Sequence, residues 1–122
     1  YKARIIIQDK STLINKGVLD NDLRSAITMQ DESTLDNSGQ ITSSGAITMQ
    51  DESTLDNSGQ LDNAATIIIE GESTLTNEGE GELDNVGAII MEDESTLTNE
   101  GKGVLKNQGE FGATITMQDK ST

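Results

Sequence analysis

The sequence predicts an all-β fold, a parallel β-helix (β-solenoid) of about five and a half coils, each 20–26 residues long. Three observations predict it. The block from Ile47 to Gly59 recurs along the chain, with equivalent openings at Ile5, Ile27, Ile67, Ile89 and Ile115. Each opening starts a short apolar/polar alternation. Asn, Gly and a second apolar residue then return at fixed offsets. Successive openings lie 22, 20, 20, 22 and 26 residues apart. A unit of that length cannot bury its own apolar side chains, so it becomes stable by stacking on neighbouring copies. Residues 1–122 therefore read as one solenoid domain.

The first element of each coil carries an apolar residue at its opening and two positions later. The pairs are Ile5/Ile7, Ile27/Met29, Ile47/Met49, Ile67/Ile69, Ile89/Met91 and Ile115/Met117. Period-two alternation gives a short strand with one buried face. The residues between them are Ile or Thr, β-branched and suited to a pleated surface. A polar corner follows, such as Gln30-Asp31-Glu32.

A second strand comes with Ser-Thr-Leu, placing Leu13, Leu35, Leu55, Leu75 and Leu97 inward and the preceding Thr outward. Two residues on stand Asn15, Asn37, Asn57, Asn77 and Asn99. Their amides both donate and accept, so each is expected to bond to its copy in the next coil, and Asn also tolerates left-handed backbone. Gly17, Gly39, Gly59, Gly79 and Gly101 follow, read as positive-φ positions where the chain turns. Leu19, Ile41, Leu61, Leu83 and Leu105 make the third apolar column. Behind it runs a second polar column of Asn21, Ser43, Asn63, Asn85 and Asn107.

Three strands and three corners fit a triangular coil. Extra residues in the longer coils fall at corners, in Glu80-Gly81-Glu82, Lys102-Gly103-Val104, 22–26 and 108–114, as solenoids tolerate. Leu23 and Phe111 lie in these bulges and are expected to fold back over the rim of the core, with exposed contact as the second reading. Stacked at about 4.8 Å per coil, the chain makes a rod roughly 25 Å long.

Only 32% of residues are hydrophobic and 2% aromatic, too few large side chains for an ordinary globular core. The regular register of Ile, Met and Leu separates the chain from a disordered one of similar composition. A net charge of −14 disfavours nucleic acid and anionic membranes and favours cations or basic partners. There is no Cys, hence no disulfide frame or thiolate metal site. No apolar run approaches a membrane span. The opening at Tyr1 rather than Met suits a mature form or a piece of a longer chain.

Catalysis has little to stand on. His and Cys are absent. Ser11, Ser33, Ser53, Ser73, Ser95 and Ser121 recur in every coil, so they read as structural hydrogen-bonding groups. Parallel β-helices also host polysaccharide hydrolases and lyases that work with carboxylates. Those typically interrupt the repeat at the site and add aromatic or basic residues, and this chain does neither.

The acidic corner is the strongest candidate site. Asp31, Asp51 and Asp93 stack in one column, with Glu32, Glu52 and Glu94 in the next. Carboxylates about 4.8 Å apart repel by roughly 0.9 kcal/mol in water. Ca²⁺, a hard cation, would relieve this. The competing reading is a solvated face with no cofactor, favoured because no EF-hand or glycine-rich calcium repeat is present. The outward Thr column suggests ice binding, but its neighbour column (Ile14, Asp36, Asp56, Thr76, Thr98) is irregular.

Solenoid ends normally need caps. The segment from Tyr1 to Arg4 is too short for a capping helix. Ile5, Ile7 and Leu13 at one end, and Ile115 and Met117 at the other, are the side chains an end-to-end contact would use. Lys10 and Lys120 flank the Glu column and are placed to neutralise its terminal carboxylates. Their facing one another across a junction would oppose the simplest stacking.

The pattern from Ser95 to Gly101, followed by Leu105 to Gly109, resembles repeats of large bacterial surface proteins. These are filamentous-haemagglutinin-like adhesins and autotransporter passengers, which are right-handed parallel β-helices. The resemblance covers nearly the whole chain. It implies an extracellular or cell-surface, structural or adhesive role. With the uninterrupted repeat and open ends, the leading expectation is a non-enzymatic shaft whose partner is itself, stacked head to tail or continued in a longer fibre. A Ca²⁺- or ice-binding module is the alternative.

Overall fold

The computed structural model describes residues 3–110 and 112–122, so Phe111 and Tyr1 lie outside the described residues. Each strand is four residues long. The first coil comprises β1 (Arg4–Ile7), β2 (Thr12–Asn15) and β3 (Val18–Asn21), and the second β4 (Ala26–Met29), β5 (Thr34–Asn37) and β6 (Gln40–Ser43). The third holds β7 (Ala46–Met49), β8 (Thr54–Asn57) and β9 (Gln60–Asn63), and the fourth β10 (Thr66–Ile69), β11 (Thr74–Asn77) and β12 (Glu82–Asn85). After β13 (Ala88–Met91), β14 (Thr96–Asn99) and β15 (Val104–Asn107), a sixth coil begins with β16 (Thr114–Met117).

Every third strand pairs in parallel. Sheet A is β1-β4-β7-β10-β13-β16, sheet B runs from β2 to β14, and sheet C from β3 to β15. The register is copy on copy: Ile5 sits on Ile27, Leu35 on Leu55, and Asn37 on Asn57. This is the β-solenoid of about five turns that the repeat predicts, with the longer corners absorbing the extra residues.

Inward residues of the three sheets form one axial core. Ile27, Met29, Leu35, Ile41 and their copies in the next coils are fully buried. At the two ends Ile5, Leu13, Leu19, Leu97, Leu105 and Ile115 are only partly covered. Leu23 is 75% exposed, so it does not fold back over the rim. The short turn around it, closed by a 2.8 Å bond from the Ser25 N–H to the Asp22 carbonyl, points outward.

The glycine column divides into two groups with different physical reasons. Gly79 and Gly101 have φ of +62° and +65°, as predicted. Gly17, Gly39 and Gly59 do not. In their short corners the chain runs too close to the coil beneath: a Cβ on Gly59 would collide with the Gly39 carbonyl oxygen, and one on Gly39 with that of Gly17. Gly17 has nothing within 4 Å, because no described coil lies under it. Gly59→Ala is therefore expected to destabilise the fold by about 1–3 kcal/mol. Gly17→Ala should change stability by less than about 0.5 kcal/mol. Urea unfolding followed by circular dichroism compares the two.

Candidate functional site: the acidic corner and the polar columns

The corner between sheets A and B is built from two consecutive residues in the left-handed region. Asp31 and Glu32 have φ of 56° and 57°, Asp51 and Glu52 have 54° and 60°, and Asp93 and Glu94 have 53° and 61°. A bond from the Ser53 N–H to the Gln50 carbonyl (3.2 Å) closes the turn, as do its copies at Ser11, Ser73, Ser95 and Ser121. Two positive φ values within an i to i+3 bond are the mark of a type I′ turn. That turn normally carries Asn and Gly, and a Glu there costs about 1–2 kcal/mol.

Stacking holds the strained residues in place. The Glu32 N–H donates to the Asp51 carbonyl at 2.8 Å, Glu52 to Gly71 at 2.8 Å, and Glu72 to Asp93 at 3.0 Å. Sequence reasoning assigned left-handed backbone to the Asn and Gly columns. It missed this corner because Asp-Glu is not a left-handed pair by propensity. The one available signal was Gly71, which replaces Asp in the fourth copy and has φ +61°.

The side chains of the corner line an open groove of about 570 Å³, bordered by Asp31, Glu32, Asp51, Glu52 and Glu72. Lysines close the column at both ends, as predicted: Lys10 Nζ lies 3.0 Å from Glu32, and Lys120 Nζ 2.7 Å from Glu94. Both pairs are exposed, so each contributes at most about 1 kcal/mol. Among the described residues, no three acidic side chains form a group that could hold a metal ion. The Ca²⁺ candidates thus form a ladder open to water rather than a cage.

The first inner polar column is hydrogen-bonded throughout. Asn15 Nδ2 donates to Asn37 Oδ1 at 2.8 Å, and Asn37, Asn57 and Asn77 each donate to the next Asn at 2.7 Å. The other amide proton reaches the backbone, as from Asn57 to the Glu82 carbonyl at 3.1 Å. All five are strand residues with negative φ, so the amide ladder, not left-handed backbone, is what Asn supplies. In the second column Asn63 donates to Asn85 (2.7 Å) and Asn85 to Asn107 (2.8 Å). Ser43 interrupts it, turning its hydroxyl to the Gly45 carbonyl at 2.8 Å.

The repeated serines serve the backbone. Ser33 Oγ donates to the Ile7 carbonyl of the coil beneath at 2.9 Å, and Ser121 Oγ to that of Met91 at 3.4 Å. Ser53 and Ser73 hydroxyls pair at 3.3 Å, and Ser95 Oγ is buried without a partner. The outward Thr column of sheet B is continuous from Thr12 through Thr34, Thr54 and Thr74 to Thr96, whereas on the outer face of sheet A Thr28 and Thr48 are followed by Ile68 and Ile90. The end-stacking candidates separate by exposure: Ile7 is 5% exposed, Ile5, Leu13 and Ile115 are half-buried, and Met117 is 51% exposed. Compared with known proteins, the chain matches no family model, no curated protein and no solved structure.

Like charges also stack on sheet B, where Asp36 lies beside Asp56 in register. Burial, and then the Asp36 charge, push the Asp56 carboxyl above its ordinary 3.8, partly offset by a hydrogen bond from Thr76. A carboxyl raised in the folded state penalises the fold where it is ionised, and the penalty fades as pH falls through its titration range. Asp56→Asn is therefore expected to raise the melting temperature by a few degrees at pH 7 and by nothing at pH 3. The gain at neutral pH should be roughly 0.2–1 kcal/mol, the size of a like-charge cross-strand pair. Scanning calorimetry at both pH values checks this. At the strained corner, Glu52→Gly should stabilise by about 1 kcal/mol. Glu52→Gln, which removes charge but keeps the strain, should gain less, and thermal unfolding of the two variants separates the causes.

Proposed function

We propose that this chain is a structural, non-enzymatic extracellular β-solenoid, the shaft of a surface filament or fibrous adhesin. The observation that carries the reading is the absence of any break among the described strands. Three parallel ladders run the length of the rod in one register, with the Asn15–Asn99 amide column inside them. A solenoid built to bind or cut at one place would interrupt its strand ladders there. Uniform ladders instead resist bending along the axis, which is what a shaft needs.

The same ladders suit axial growth. Sheet edges at both ends hold strand groups able to accept a further coil. The half-buried Ile5 and Leu13 at one end, and Ile115 with the exposed Met117 at the other, offer an apolar core surface for end-to-end joining or for continuation within a longer fibre. The resemblance to adhesin and autotransporter repeats supports a surface location, and a charge of −14 suits a shaft that must stay in solution.

Negative-stain electron microscopy tests the reading. Straight rods longer than one chain, shortened to single-chain particles by Met117→Lys, are expected. Discrete particles about 25 Å long at every concentration would overturn end-to-end joining.

A further inference from the structure

Charge along the rod is uneven. Residues 1–24 hold five Lys or Arg against three acids, residues 25–101 hold none against seventeen, and residues 102–122 hold three against two. A basic first coil thus adjoins a strongly acidic shaft.

One edge of the prism escapes that acidity. At the corner between sheets C and A, the second, third and fourth coils present Ser44–Gly45, Ala64–Ala65 and Val86–Gly87, all uncharged. The strands of sheet A from β4 to β16 also contain no charged residue. Two copies can approach along this edge with the least carboxylate repulsion.

The first coil puts a projection on the same edge. Leu23 is 75% exposed, and Arg24 beside it is exposed and makes no ion pair among the described residues. The tip is held in shape by the Leu23 N–H, which donates to the Asp22 carboxylate at 2.7 Å. Across the second to fourth coils lies a notch of about 140 Å³, lined by Thr42, Asp62, Ala64, Asp84 and Val86, and its far end at Asp84 and Val86 is three coils along the edge from Leu23. Val86 is 46% exposed. The Asp62 carboxylate is already bonded by the Gln60 amide at 3.0 Å. Asp84 lines the notch half-buried, with its Oδ1 covered by neighbouring atoms and without a hydrogen-bond partner, and the Lys106 ammonium next to it in register is taken by Glu82. An apolar patch beside an under-bonded carboxylate fits a partner that offers an apolar side chain and a guanidinium together, which is what Leu23–Arg24 offers.

We propose that two copies pair side by side and antiparallel along this edge, with Leu23 and Arg24 of each copy seated on Val86 and Asp84 of the other. A two-fold axis across the rod carries the first corner of one copy onto the fourth corner of its neighbour, and the reverse, so both contacts form at once. The second and third corners, Ser44 and Ala64, then meet at the centre. The interface is isologous and closes at two copies. The shared edge is one corner wide and four coils, about 20 Å, long, so it buries less than the roughly 1,200–2,000 Å² of a standard interface and the pair is weak and concentration-dependent. It does not depend on end-to-end joining or on the shaft reading.

Sedimentation velocity of the Met117→Lys variant, in which end-to-end joining is blocked, tests the pairing. The mass should rise with concentration toward two copies. Adding Arg24→Glu or Asp84→Arg should raise the dissociation constant at least tenfold, and the two together should restore it. A mass of one copy throughout, or a double swap as weak as the single ones, overturns the proposal. A second measurement uses the absence of Cys in the chain. Ser44→Cys and Ala64→Cys proteins are mixed and oxidised. Preferential disulfides between unlike variants are expected, and a preference for like-with-like links would refute the antiparallel arrangement.

Discussion

In-register stacking governs everything else in this molecule. Each residue's nearest neighbour outside its own coil is its copy, so a side chain must be compatible with itself at about 4.8 Å. Few chemistries meet that condition inside a core. Aliphatic side chains do, and so does an amide, because it donates on one side and accepts on the other. That is why Asn, not Asp, Gln or Ser, fills the polar column from Asn15 to Asn99. Where Ser43 replaces Asn the column stops, since a single hydroxyl proton spent on the Gly45 carbonyl leaves none for Asn63.

Carboxylates fail the self-compatibility test, and the fold moves them outward. Most of the acids stand at the corner between sheets A and B or on the outer faces of sheets B and C, where water screens them. Where Asp36 and Asp56 stack on the face of sheet B, burial and the like charge leave one carboxyl harder to ionise. At the acidic corner the backbone is strained as well, with two left-handed residues per coil. The inter-coil bond from Glu32 to Asp51 and its copies holds that geometry against local preference. The ladder fixes the corner, and the corner side chains follow.

Much of this was legible in the sequence, because a repeat reports its own register. The spacing of Ile47, Leu55, Asn57, Gly59 and Leu61 was enough to place three strands per coil and to predict which residues face inward. What stayed hidden depended on contacts between coils. Gly39 and Gly59 look like turn glycines, but their missing Cβ makes room for the carbonyl of the coil below. Asp51-Glu52 looks like ordinary loop, since neither residue prefers positive φ. Leu23 is apolar, yet a tight turn closed by Asp22 directs it to solvent. The under-bonded Asp84 follows only from its register with Asp62 and Lys106, combined with the amides that already serve Asp62.

A structure that repeats has no privileged location of its own, so any specific behaviour must come from departures from the repeat. The uniform columns suit the stiffness and axial growth proposed for the rod and nothing more particular. The departures are few. Basic residues are confined to the two ends, the corner between sheets C and A lacks charge in three successive coils, and the insertion at 22–26 projects an apolar and a cationic side chain together. All of these are surface features that leave the core columns intact, so they alter what the rod meets without altering how it stands. Recognition by this molecule is therefore best sought along its edges, and the mechanical role proposed for it along its axis.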